Sequence, residues 1–332
     1  MILRLDEVGA LLRGSLGYSK KEGNRIAFSR FTEHQMALYD RNRAFFGARA
    51  RCNVGEYFDF YYDGSLIAFD FFPMHQCSRP FLSFDLYADG IMVFAHKTMM
   101  NGEGSTHFVY RFAEKKHRRI QVYLPCTCGV EIYNFTLDDG ASIEPVPVSG
   151  KKILLLGDSI TQGFDTRYTS LSYASSVVRY FEADGLNQSI AGHYFEEDVI
   201  DEALPFEPDA VTVAYGTNDW GRYGKDEQKY RDAAEAYINK LCSRYSDARI
   251  FGIMPVWRAD QKVRPERMAF DTIYDILGEL YSAHSNVTVV DGRTLVPNIA
   301  DFYSDGLHPN TMGFGLYTHH LIAAMEQAGF RK

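Results

Sequence analysis

Lys152-Ile153-Leu154-Leu155-Leu156-Gly157-Asp158-Ser159-Ile160 joins an aliphatic run to a turn that ends in a hydroxyl. A run this short and apolar suits a strand buried on both faces. Gly157 permits a tight turn, Asp158 puts a carboxylate near the free N–H groups of a helix start, and Ser159 opens that helix. The same strand-then-turn unit recurs outward from it. Residues 211–214 precede Gly216-Thr217-Asn218-Asp219, residues 250–254 precede Trp257-Arg258, and residues 287–290 precede the segment containing Asp305-Gly306-Leu307-His308. Between the strands, apolar residues keep helical spacing: Leu171, Ala174, Val177, Val178 and Phe181; Tyr230, Ala234, Tyr237 and Leu241; Phe270, Ile273, Leu277 and Leu280; then a closing helix over 312–325. Alternating strand and helix implies a parallel sheet covered on both faces, with ligands at its carboxyl edge.

Before about residue 148 the period is two. Phe58, Phe60 and Tyr62 alternate with Asp59 and Tyr61 ahead of Asp63-Gly64 and the run 66–72, which predicts a hairpin. Leu82, Phe84 and Leu86 lead through Asp89-Gly90 into 91–94, a second hairpin, and a third is expected from 108–112 and 120–124 around the charged turn 114–119. Repeated short strands predict an antiparallel sandwich. Pro145-Val146-Pro147 reads as a stiff linker, so the expected division is a β domain over 1–148 and an α/β domain over 149–332.

The chain has 332 residues, 46% of them hydrophobic, and a formal charge of -8, which argues against a nucleic-acid partner because phosphate binding needs a basic face. Arg4, Asp6, Glu7 and Arg13 interrupt the first 18 residues, so no signal peptide is read there, and no apolar run approaches the roughly 20 residues of a membrane span. Cys52, Cys77, Cys126, Cys128 and Cys242 are odd in number and lack a disulfide or zinc spacing, so thiols, no metal and a cytoplasmic location are expected. Neither phosphate-binding glycine pattern occurs, which disfavours a nucleotide-binding protein and leaves no cofactor implied.

Taken singly, the polar blocks are ordinary turn residues; their conjunction carries the chemistry. Asp305 and His308 are three apart, so the carboxylate can hold the imidazole through Nδ1 while Nε2 takes a proton from Ser159. Asn310-Thr311 reads as the cap of the last helix. The backbone N–H groups of Ser159 and Gly192 and the side-chain amide of Asn218 could hold an oxyanion. Trp220, Trp257 and Arg258 are expected at the rim of the same edge as substrate contacts, with Asp158 a further substrate contact beside Ser159, while Tyr57 to Tyr62 are assigned to core packing rather than sugar stacking.

These four blocks resemble those of the SGNH hydrolases, or GDSL esterases and lipases: Ser159, Gly192, Asn218 and Asp305-x-x-His308 fall in the family order, and Ile160 replaces the family's leucine. The resemblance covers about 150–330. It implies a flavodoxin-like three-layer sandwich and cofactor-free hydrolysis of acyl esters, often acetyl groups on carbohydrates. The front half is similar to the jelly-roll modules that precede such domains in bacterial carbohydrate esterases. The expected activity is a serine esterase for short acyl esters of a small molecule or oligosaccharide, with homo-oligomerisation left open. A lysophospholipase or thioesterase of the same fold, or a carbohydrate-binding protein with a vestigial hydrolase domain, are the alternatives.

Overall fold

The computed structural model describes residues 1–42, 44–76, 79–100 and 106–332; Cys77 lies outside them. The first half folds as two antiparallel sheets. One runs Leu12–Arg13, Tyr57–Tyr62, Arg118–Tyr123, Phe81–Ala88, Ile91–Met99, with Ile143–Pro145 also paired to Tyr57–Tyr62. The other runs Gly17–Lys21, Arg25–Ser29, Cys128–Leu137, Leu66–Gln76, His107–Arg111. Their inner faces meet in an aromatic core of Phe58, Phe60, Phe69, Phe84, Phe108 and Phe135. Tyr57 and Tyr62 are buried, in line with packing rather than sugar stacking.

Of the three expected hairpins, only the one through Asp89-Gly90 forms. There both turn residues take positive φ, 50° and 81°, as a tight two-residue turn requires. Asp63 and Gly64 do not, and the chain crosses from one sheet to the other. The crossing is held by polar bonds: Tyr62 donates to the Leu66 carbonyl at 2.8 Å, and the Asp138 carboxylate accepts from the N–H groups of Ser65 and Leu66 at 2.6 and 3.1 Å. Strands His107–Arg111 and Arg118–Tyr123 likewise belong to different sheets. Alternation gives a strand its buried face, and that face is the same whichever sheet the strand joins. Pro145 ends an edge strand and Val146 is buried, so this stretch is packed rather than a free linker.

The second half is built on a wholly parallel sheet ordered Asp184–Asn187, Lys152–Gly157, Ala210–Ala214, Arg249–Ile253, Val287–Val290. This is the doubly wound order, in which the first strand lies inside the second. Helices Tyr173–Tyr180 and Thr311–Gln327 cover one face; Glu227–Arg244 and Phe270–Ser282 cover the other. That second face also takes Phe31, Tyr39, Phe46 and Ala50 from the front of the chain, where helices Glu33–Asn42 and Ala44–Ala50 leave the sandwich. The strand Asp184–Asn187 has no sequence signal of its own, because an edge strand reading Asp-Gly-Leu-Asn lacks the apolar run that marks its neighbours. Among the described residues, no helix is long and apolar enough to cross a membrane.

Candidate active site

Strand Lys152–Gly157 ends at a turn into the four-residue helix Ser159–Gln162. Asp158 caps that helix, accepting from the Ile160 N–H at 3.0 Å. A side chain at Gly157 would stand 2.1 Å from Thr161 Oγ1 and 3.0 Å from the Ala214 carbonyl, so the tight turn excludes one. Ser159 Oγ lies 2.8 Å from His308 Nε2, and His308 Nδ1 lies 2.8 Å from Asp305 Oδ2. The other Asp305 oxygen accepts from the Leu307 and His308 N–H groups at 3.1 and 2.9 Å, so a single carboxylate fixes both the loop and the ring. Burial pushes the Asp305 carboxyl up, but the His308 N–H, the His308 ring and the Leu307 N–H outweigh it and hold it below its ordinary value. An ionised Asp305 accepts only, which puts the neutral ring's proton on Nδ1 and leaves Nε2 to accept from Ser159. Asn310 caps helix Thr311–Gln327 through the N–H groups of Met312 and Gly313.

Gly192 and Asn218 stand at the same sheet edge. Gly192 has φ of 77° in the loop after Asp184–Asn187, and Asn218 lies in helix Thr217–Tyr223 directly after Ala210–Ala214. Asn218 Nδ2 is 3.1 Å from Asp158 Oδ2 and 2.9 Å from the His193 carbonyl, so both amide hydrogens have acceptors. Asp158 is fully buried, and burial pushes its carboxyl up to about 6 against the opposing pull of the Ile160 N–H and of the His308 and Arg258 charges.

Residues 155–316, a span that takes in all five of these positions, match the model of the GDSL-like lipase/acylhydrolase family. The second half of the chain is similar to that family over this span. It is accordingly an acyl hydrolase domain, acting on carboxylic esters. No curated protein matches the chain. Among solved structures, a salicylyl-acyltransferase from a tetracycline biosynthetic pathway superposes with a TM-score of 0.82 at 15% identity, covering 96% of this chain and 94% of that one. A GDSL-like lipase structure from Bacteroides ovatus gives 0.74 at 18%, covering 96% and 95%. A family two carbohydrate esterase from Clostridium thermocellum, in complex with cellohexaose, gives 0.64 at 17%, covering 83% and 93%. All three span both halves of the architecture seen here.

The acylhydrolase site also receives residues that the sequence did not reveal. Arg79, from the sandwich, donates to both oxygens of Asp165 at 2.6 and 2.7 Å, and its guanidinium is 3.6 Å from Asp305 Oδ2. Asp165 Oδ2 is in turn 3.8 Å from His308 Nδ1. Asp165, Asp305 and His308 therefore offer three ligand atoms within 4.8 Å of one another, a spacing a cation could use, but a guanidinium already faces both carboxylates. Arg30 is buried and donates to four carbonyls, those of Cys52, Arg49, Asn187 and Ser189, at 2.6 to 3.0 Å. Burial lowers its guanidinium to about 10, which leaves it charged at neutral pH. Arg49 donates to the Ala191 carbonyl at 2.6 Å. None of these residues carries a motif: their partners are backbone carbonyls or a carboxylate brought near only by the fold.

Of the expected rim residues, Trp220 lies inside the fold. Trp220 is fully buried, donates its indole N–H to the Met268 carbonyl at 2.8 Å and packs between Arg258 and Arg267, so it is a core residue and not a substrate contact. Arg258 forms a two-point pair with Asp260 at 2.6 and 3.0 Å and donates to Thr217 Oγ1 at 2.9 Å, tying the 254–269 connection to the Asn218 helix. Trp257 donates to the Arg293 carbonyl at 3.0 Å. Their strand-end position was legible, but the direction of each side chain was decided by the nearest acceptor. Cys52, Cys126, Cys128 and Cys242 are buried.

Proposed function

We propose that the protein is a serine esterase that removes short acyl groups, acetate first, from a carbohydrate. The observation that carries this reading is the continuous chain of 2.8 Å contacts from Ser159 through His308 to Asp305. Ser159 Oγ attacks the ester carbonyl while His308 Nε2 takes its proton, and Asp305 steadies the imidazolium through Nδ1. The oxyanion is held by the N–H groups of Ser159 and Gly192 and by Asn218 Nδ2, where it competes with the His193 carbonyl for one amide hydrogen. Collapse expels the alcohol, which takes the proton from His308; water, activated by the same ring, then releases the acid. Similarity to the cellohexaose-bound carbohydrate esterase supports a saccharide as the alcohol.

A second reading is acyl transfer to a hydroxyl acceptor through the same acyl-enzyme. Similarity to the salicylyl-acyltransferase along nearly the whole chain favours it. A panel of p-nitrophenyl esters from acetate to palmitate, run beside acetylated xylo-oligosaccharides and with and without added alcohols, separates the readings. The esterase reading expects acetate to exceed octanoate in kcat/KM and product acid to dominate, because a pocket closed after two carbons turns a gain of up to about 0.8 kcal/mol per methylene into a steric penalty. Faster turnover of octanoate would transfer the assignment to lipid acyl chains. Ser159→Ala should abolish turnover with the melting temperature moved by only a few degrees; unchanged turnover would end the serine mechanism.

A further inference from the structure

The loop from Gly163 to Leu171 runs beside the His308 ring and is gripped by the sandwich. Asp85 accepts from the Ser170 N–H and hydroxyl at 2.8 and 2.7 Å, Ser83 Oγ accepts from the Thr169 N–H at 3.1 Å, and Lys97 sits 3.6 Å over the Tyr168 ring. Within this loop Asp165 takes a φ of 68°, a left-handed conformation that Asp tolerates better than most residues, and this turns its carboxylate toward the catalytic ring. Phe164 fills the space between, 5.8 Å from the His308 ring and 4.9 Å below the Arg79 guanidinium.

Two carboxylates thus face a single Nδ1. Asp305 is at hydrogen-bond distance and Asp165 is 1 Å farther, at 3.8 Å against 2.8 Å. Left alone, both would draw the ring's proton and favour the charged ring, which cannot act as a base. We propose that Arg79 is a positioning residue supplied by the sandwich: by binding Asp165 at two points it reserves His308 Nδ1 for Asp305 and balances the second negative charge. The groups facing His308 are then Ser159 and buried Asp158 from the nucleophile turn, Asp305 from its own loop, Asp165 from the gripped loop, and Arg79 from the sandwich. The β domain is on this account part of the chemistry and not an appended binding module.

The inference rests on the esterase reading for its kinetic test but not for its spectroscopic one. Arg79→Ala should lower kcat/KM on an acetate ester about 10- to 100-fold, the range a misplaced catalytic group produces, and should move the acidic limb of the profile to higher pH by about one unit. Asp165→Asn should move that limb to lower pH. The double variant should exceed Arg79→Ala in kcat/KM and return the limb toward the wild-type position, since removing both partners restores the charge balance. Arg79→Lys should keep the limb in place while lowering kcat, because lysine retains the charge but not the two-point fork. Ring titrations of carbon-13-labelled histidines, with His308 assigned by its loss in His308→Gln, should follow the same order without any substrate. If Arg79→Ala does not fold, Asp165→Asn and Arg79→Lys decide alone. Limbs and ring titrations that stay in place in Arg79→Ala and Asp165→Asn, or that move in the same direction in those two variants, would overturn the pairing. A wild type inactive on every ester, with ring titrations as expected, would sink the esterase reading and leave the pair standing.

Discussion

Gly192 and Asn218 flank one serine but are held from different directions. The Asn218 helix is secured inside the acylhydrolase half, where buried Asp219 accepts from the Gly216 and Phe195 N–H groups at 3.2 and 3.0 Å and Trp220 is packed behind it. The Gly192 loop is secured from the front of the chain. Arg30 holds its carbonyls, Gln35 meets Gln188 through their side-chain amides, and Arg49 bonds Ala191. The difference follows from sheet position: the strand before Asn218 is central, whereas the strand before Gly192 is at the edge and has a neighbour on only one side. An edge loop borrows rigidity from outside its own sheet.

The sharpest way to break this contrast is Arg30→Met, which keeps the stem and removes the guanidinium. Several buried carbonyls would lose their donor, at about 1–3 kcal/mol each when no water replaces it, and the melting temperature should drop by about 10 °C or more. Differential scanning calorimetry checks it; a change of only a few degrees would mean that the edge loop does not depend on the front of the chain. Asn218→Ala should show the opposite profile, losing about 10²-fold in kcat while melting within a few degrees of wild type. If stability falls more than activity, Asn218 is scaffold and the contrast is reversed.

Gly192→Ala sharpens it further. The added methyl would lie 2.9 Å from Arg49 Nη1 at a φ of 77°, which should cost about 1–2 kcal/mol and lower kcat about tenfold. Combining it with Arg49→Ala removes the clash but not the backbone strain. Partial recovery in the double variant is therefore expected, and full recovery would assign the whole effect to the arginine.

The smallest effect is in pH. Burial pushes Glu56, in the front half, and Asp219, in the acylhydrolase half, both up to about 7. An unfolded carboxyl releases its proton near pH 4, so between about pH 4 and 7 the folded state binds more protons and stability falls as pH rises. The contribution is complete below that window and gone above it. Asp138 and Asp260, held down to about 2, titrate below it. The melting temperature should fall by a few degrees from pH 5 to pH 7, and Glu56→Gln should flatten part of that fall. A melting temperature that rises across the window would contradict the burial argument.

Much of this was legible in residues 150–330. Four strands of the parallel sheet announce themselves as apolar runs, and Ser159, His308 and Asp305 meet because each follows such a run or closes its own short loop. The edge strand Asp184–Asn187 was not legible, since little of it needs to be apolar. In the front half the strands could be read but not their partners: Asp63-Gly64 looks like Asp89-Gly90 in sequence, yet one crosses between sheets and the other closes a hairpin. Arg79 and Asp165 were invisible for a related reason. Their contact spans 86 positions and exists only once the sandwich is docked. Trp220 misled because a large side chain next to a functional residue can face inward as readily as outward.

Arg30 has one further consequence, for engineering. All four of its acceptors are main-chain carbonyls, and a grip on the main chain is indifferent to the side chains of the residues it holds. Arg49, Cys52, Asn187 and Ser189 can therefore be randomised without removing any acceptor from the clamp, although Asn187 and Ser189 also bond each other and would lose that contact. A combinatorial library aimed at the Gly192 side of the site thus has a built-in anchor in Arg30, provided that Arg49, which bonds the Ala191 carbonyl, is kept and that buried Cys52 is exchanged only for side chains of similar size.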